Sequence, residues 1–227
     1  MYTPKAYVEN DLGVLHEHMR LWSFATLVTA GANGVQATHL PFLLEEGGPE
    51  GLGILTTHLA RANPQSQDLL AGAPALVIFQ GPHAFVTPSW YVNQMTFPTW
   101  NYTAIHARGQ PELIEDPEDI HELLRETVAI YDTPLGGNWC FDVMPADMIV
   151  PRLRAIMGVR IPVTKLEGKF KINQDKSRED QLGVVAALEA QPDSQARDMA
   201  ALMRRCLRLE AAVADKPQDA VPAKARA

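Results

Sequence analysis

FATLVTAGANGVQATHL, residues 24–40, consists of two apolar, β-branched runs, Phe24–Thr29 and Val35–Leu40, around a loop that ends in Asn33-Gly34. Asn-Gly accepts the positive backbone dihedrals of a tight turn, so the stretch reads as an antiparallel hairpin. Outward from it, a polar, glycine-rich loop at Glu45–Gly51 leads to a strand at 52–58, and ARANPQSQDLL forms a short helix after that strand. PALVIF is an unbroken apolar run, read as a buried strand that Gly81-Pro82 interrupts before HAFVT resumes it. TWNYTAIHARGQPELI is a further long strand, with a bulge or bend marked by Gly109 and Pro111. On the N-terminal side, Leu12, Leu15, Met19 and Trp22 recur at helical spacing behind Asn10 or Asp11 as cap.

Beyond residue 112 the period changes. Asp116-Pro117 opens a helix whose apolar face is Ile120, Leu123, Leu124, Val128 and Tyr131. MPADMIVPRLRAIMG reads as helix in two pieces, because Pro151 falls inside it. VRIPVTKLEGKFKINQ is a long final strand. Ser177-Arg178-Glu179-Asp180 has the form of a capping box for a helix to about Leu188, and a last helix covers about 194–213. The remainder, DKPQDAVPAKARA, has too little apolar mass to offset its ordering entropy. Strands first and helices afterwards imply a mainly-β or α+β architecture, a β-barrel with peripheral helices.

The 227 residues are 46% hydrophobic and 21% charged, enough for a full core without metals or disulfides. Cys140 and Cys206 form no zinc spacing and read as two reduced thiols. MYTPKAYVEND lacks the basic region and apolar core of a signal peptide, and no apolar run nears the ~20 residues a membrane span needs. A cytoplasmic protein without membrane contact is the expectation. The formal charge of −7 opposes broad attraction to nucleic acid.

Nucleotide and metal motifs do not carry the function. Gly51-Leu52-Gly53 starts like a dinucleotide fingerprint, but Thr56 stands where the third glycine belongs. His16 and His18, two apart on a helix, point to different faces. His39, His58, His83 and His106 lie on strands and suit sheet hydrogen bonds or cofactor contacts better than a metal or haem. THLARANPQ is more informative, because it gathers His58, Arg61, Asn63 and early helix N–H groups, the chemistry of a phosphate site. An arginine in solvent would look the same. FQGPHAFVTPSWY and PTWNY mix Phe79, Phe85, Trp90, Tyr91, Trp100 and Tyr102 with Gln80, Ser89 and Asn101. A flat heteroaromatic ring needs such faces and directed polar groups, and an aromatic core would supply them too. Lys169 and Lys171 share a strand face, which suits an anion or an exposed, lysine-protected edge.

Taken in order, FATLVT, ATHLPF, HLARANPQ, FQGPHAFVTPSWY, PTWNY, LRAIMG and LEGKFKINQ resemble the PaiB-type FMN-binding negative transcriptional regulators, over about Met1 to Leu188. The resemblance implies a split β-barrel like that of pyridoxamine-phosphate oxidases, usually a homodimer with FMN at the subunit interface. It implies a split-barrel domain over 1–190; no family motif matches beyond that, where spacing and composition give a C-terminal helix at 191–213 and a disordered tail at 214–227. Arg61 and the helix start would meet the phosphate with help from Lys169 or Lys171; His58 and Asn63 lie in the same motif. Thr38, His39, Gln80, Ser89, Trp90, Trp100 and Asn101 would line the ring or ribityl pocket. The Val92–Thr96 loop is shorter and less basic than the family's usual segment. No recognition helix accompanies the regulator label, so direct DNA binding is not expected. Three functions fit: a flavin-binding regulator, an FMN-dependent oxidoreductase using NAD(P)H, or a haem-binding barrel. No catalytic residue stands out.

Overall fold

The computed structural model describes residues 1–32 and 34–214, with side chains through Cys206. Asn33, the Leu207 and Arg208 side chains, and 215–227 of the expected tail lie outside the described residues. The described chain divides into two compact units, Met1–Gly81 with Thr103–Phe170, and Pro82–Tyr102 with the described residues from Lys171 onward. The expected boundary at 190 therefore falls inside the second unit.

The elements in chain order are β1 (Val8–Glu9), α1 (Leu12–Leu21), β2 (Phe24–Gly31), β3 (Gly34–Pro41), β4 (Leu43–Glu45), β5 (Ile54–Ala60), α2 (Gln65–Leu70), β6 (Ala75–Val86), β7 (Thr99–Gly109), β8 (Glu112–Ile114), α3 (Pro117–Tyr131), α4 (Ala146–Ala155), β9 (Ile156–Lys171), α5 (Arg178–Glu189) and α6 (Ser194–Ala214). Among the described residues the strand order is β3-β2-β6-β7-β9-β5-β4, with β1 and β8 also on β9. The β2–β3 hairpin pairs Phe24 with Pro41 and Gly31 with Gly34, and Gly34 has the positive φ of 91° that its turn requires.

The first unit is a barrel. Chain order carries β3, at one end of the sheet, through Phe42 into β4 at the other, and Thr57 on β5 donates to the Pro41 carbonyl (2.6 Å). Period-2 alternation then sends Leu27, Leu55, Val77, Phe79, Ile105, Met157, Val159 and Ile161 into one core, joined by Leu15 and Met19 of α1. Asp11 caps α1 by accepting from Val14 N (3.0 Å).

Three local readings are corrected. Gly81-Pro82 does not interrupt β6. A Cβ on Gly81 would stand 2.2 Å from Thr103 Oγ1 and 2.5 Å from the His18 ring, so the glycine admits these neighbours, and Pro82 lies beyond the Ala75–Ile78 segment paired with β2. Pro151 does not split α4, which is one helix of ten residues. Ile156, Met157 and Gly158 are strand rather than helix, because β5 pairs with them (Ala60 with Ile156, His58 with Gly158). The expected bend at Gly109–Pro111 separates β7 from β8.

The second unit has its own core of Val86, Tyr91, Ile172, Val184, Val185, Leu188, Met199 and Met203. Ser177 caps α5 by accepting from Asp180 N (3.1 Å). Asp180 does not complete the capping box; its carboxylate accepts from Val92 N (2.7 Å) and holds the loop after the Pro88–Trp90 turn.

Candidate functional site

In the first unit the segment after β5 folds back against β3. Asn63 donates from Nδ2 to Thr38 Oγ1 (2.9 Å), while its Oδ1 accepts from Gln65 N (2.9 Å). Arg61 N donates to Ala155 O (2.9 Å) at the junction of α4 and β9. The anchor beneath is a buried polar knot that motif reading missed. Gln65 Nε2 donates to Leu27 O and Thr29 Oγ1 (both 3.1 Å), and Thr29 Oγ1 donates to Asp68 Oδ2 (2.7 Å). Gln65 is fully buried and Asp68 is 5% exposed. The signal available in sequence was only the i,i+3 spacing of Gln65 and Asp68 after Asn63-Pro64.

The Arg61 guanidinium is half-buried and meets Glu115 at 3.5 Å. A guanidinium fork is a donor group suited to phosphate, and Arg61 lies two positions from the anchored Asn63. α2 has only six residues and begins at Gln65, four positions beyond Arg61, so the guanidinium rather than the helix end is the feature that fits.

The histidines scatter. His39 is exposed on β3, hydrogen-bonded to Thr26 Oγ1 (3.0 Å) and stacked near Phe24. His58 lies on the wall of a separate cavity in the same unit, and burial lowers its pKa. His106 is half-buried on β7, its pKa lowered first by burial and then by the N-terminal ammonium and Arg108. His16 and His18 are both buried, the first donating to Leu52 O (2.9 Å), the second packed on Trp22 and Phe170. Among the described residues no three His, Cys, Asp or Glu side chains come together as metal ligands. Gln80 is exposed on β6.

The two lysines do not share one environment. Lys169, in the first unit, is 9% exposed and donates to Tyr2 O (3.2 Å), over the Tyr2 ring. Lys171, in the second, donates to Thr99 Oγ1. Their strand is no exposed edge, since β9 pairs with β1, β5, β7 and β8.

In the second unit, Trp100 is 52% exposed and makes ring contacts with His83 and Phe85. Ser89 is exposed in the turn that Thr87 caps, and Trp90 is half-buried. Asn101 faces inward instead: it is 0% exposed and donates to Met203 Sδ (3.5 Å). Strand alternation places Trp100 and Asn101 on opposite faces, so one motif divides between surface and core. Thr38, Arg61 and Asn63 belong to the first unit, and Ser89, Trp90, Trp100 and Asn101 to the second.

Comparison with known proteins agrees with this architecture. The flavocytochrome Anf3 from Azotobacter vinelandii superposes with a TM-score of 0.57 at 17% identity, covering 78% of this chain and 75% of that one. The FAD and heme binding protein from Mycobacterium smegmatis gives 0.56 at 14%, covering 78% of each chain. At such identities the likeness shows the shared fold, a split barrel. In sequence, the protease synthase and sporulation protein PAI 2 of Bacillus subtilis strain 168 is 30% identical over 205 residues, 89% of this chain and 96% of that one. The model of the family described as "Putative FMN-binding domain" matches residues 1–165. The chain is therefore a split-barrel member of this FMN-binding family.

Proposed function

We propose that the protein binds FMN through its phosphate at Arg61 and Asn63 and works as a flavin-dependent regulator in a homodimer. The observation that carries this reading is the Asn63–Thr38 hydrogen bond, which holds the Arg61 segment against β3 on a buried anchor. Thr38, on the Asn63 face of β3, offers a hydroxyl to the flavin, while His39 points to the other face, where it bonds to Thr26. Arg61 is assigned as the principal phosphate cation because it lies on the anchored Asn63 segment and its pairing with Glu115 is long and partly exposed (3.5 Å), whereas Lys169 is buried on Tyr2 O and Lys171 donates to Thr99. Bound FMN supplies the redox chemistry, and the side chains bind and orient it.

The dimer follows from exposed apolar surface in the second unit. Trp100, Phe97 and Met95 are 52%, 86% and 94% exposed, a patch that a second copy would cover with the same patch of its own. Ser89, Trp90 and Trp100 are the ring contacts assigned to the assembled dimer.

Titration by flavin fluorescence tests the reading. FMN should bind at least about tenfold more tightly than riboflavin, and Arg61→Ala should weaken FMN by about 1.5–3 kcal/mol while leaving riboflavin unchanged. Equal affinity for the two flavins would exclude the phosphate site.

A further inference from the structure

The cavity that takes His58 lies wholly in the first unit and measures about 520 Å³. β5 and the start of β9 form its floor with His58 and Ile156, α3 contributes Leu124, and α4 contributes Met148 and Arg152. Trp139 closes one side, in edge contact with Phe141 (centroids 4.6 Å apart). The volume is in the range of small-molecule sites, about 300–1,000 Å³.

The charge around this space selects its occupant. Arg152 is the cation on the wall, one helical turn from Met148, and no carboxylate lines the cavity. Arg152 donates to a carbonyl, Met148 O, at 3.3 Å, and it has no ion-pair partner among the described residues. His58 is polar, and its burial favours the uncharged imidazole. An apolar chamber with one cation at its rim and no carboxylate favours a hydrophobic body ending in an anion. Arg61, the phosphate candidate, is absent from the wall, although its backbone bonds to Ala155 beside it.

We propose that this cavity is a second ligand site, for a small aromatic acid whose carboxylate or sulfonate meets Arg152 and whose ring packs between Trp139, Leu124 and Met148. It does not depend on flavin, and places an effector or substrate site next to the Arg61 segment.

Calorimetric titration of the full chain with 1-anilinonaphthalene-8-sulfonate, and with its uncharged analogue N-phenyl-1-naphthylamine, tests this on flavin-free and FMN-saturated protein. The sulfonate should bind both forms at one site and quench Trp139. Arg152→Gln should weaken the sulfonate about tenfold and leave the neutral analogue unchanged. Met148→Trp should fill the chamber and abolish binding of both. Arg152 is exposed and Met148 is 43% exposed, so both variants should keep the parent melting temperature and FMN affinity. Sulfonate binding unchanged in both variants would overturn the proposal. So would competition between FMN and the sulfonate, which would put the flavin in this chamber. Failure of FMN to bind at all would remove the phosphate assignment and leave this one standing.

Discussion

Thr29 joins two requirements in one hydroxyl. It donates to the buried Asp68 carboxylate and accepts from Gln65, which fastens α2 under β2 and β3. Thr29→Val keeps the shape and removes both bonds. It should cost about 1–3 kcal/mol in urea unfolding, because a buried carboxylate loses its donor. A loss below a few tenths of a kcal/mol would show that water substitutes for the hydroxyl. The histidines give stability a pH dependence. Burial lowers the pKa of His58 and, as the largest cause, of His106. The unfolded chain therefore binds protons first as pH falls through the ordinary value of 6.5, and stability declines from there toward the lowered folded pKa values. Glu167, held below the ordinary 4.5 by its hydrogen bond to the N-terminal ammonium, adds a contribution present above that value and lost beneath it. Melting temperature should be flat above pH 7.5 and fall by pH 5.5, with a smaller fall in His58→Phe; an unchanged slope would remove His58 from the account.

At the scale of elements, caps and close approaches hold the second unit. Ser177 caps α5, and Ser177→Ala should cost about 1 kcal/mol in thermal unfolding. Gly183 lies on the same helix where it passes the Pro88–Trp90 turn: an added Cβ would come to 2.4 Å from Trp90 O, which is backbone and cannot swing aside. Gly183→Ala should therefore destabilise by about 1–3 kcal/mol although alanine is the better helix former. A stabilised variant would mean that the helix and turn separate readily. Both helix starts marked by Asp11 and Asp116 were legible in the sequence, because a cap is a local hydrogen bond between residues two or three apart. The strand character of Ile156–Gly158 was not, because their partner β5 lies about a hundred positions earlier.

For the whole molecule, the exposed aromatic surface of the second unit predicts a dimer. Light scattering at micromolar concentration should give about twice the 25.0 kDa chain mass. A monomer that still binds FMN would end the shared-site reading. The net charge of −7 argues against tight binding to DNA. Arg204, in the most basic part of α6, is already engaged by Glu189 through two hydrogen bonds of 2.5 and 2.7 Å. Fluorescence anisotropy near physiological salt should show no sequence-selective nanomolar binding by the protein alone. Such binding would make Arg204→Ala the first variant to examine.

By itself, the sequence determined the hairpin, the caps, the clustering of strands in the first half and the flavin-binding family, since alternation, turn chemistry and extended motifs are properties of neighbouring residues. Only the tertiary structure decided which members of those motifs share a place. It joined Thr38 to Asn63 across 25 positions, turned Asn101 into a core while leaving Trp100 outside, gave Lys169 and Lys171 separate acceptors, and moved His58 to the wall of an apolar chamber. The physical reason is the same in each case. A residue's chemistry is local, whereas its burial and its partner depend on strand register and on the element packed against it, which no short stretch of chain contains.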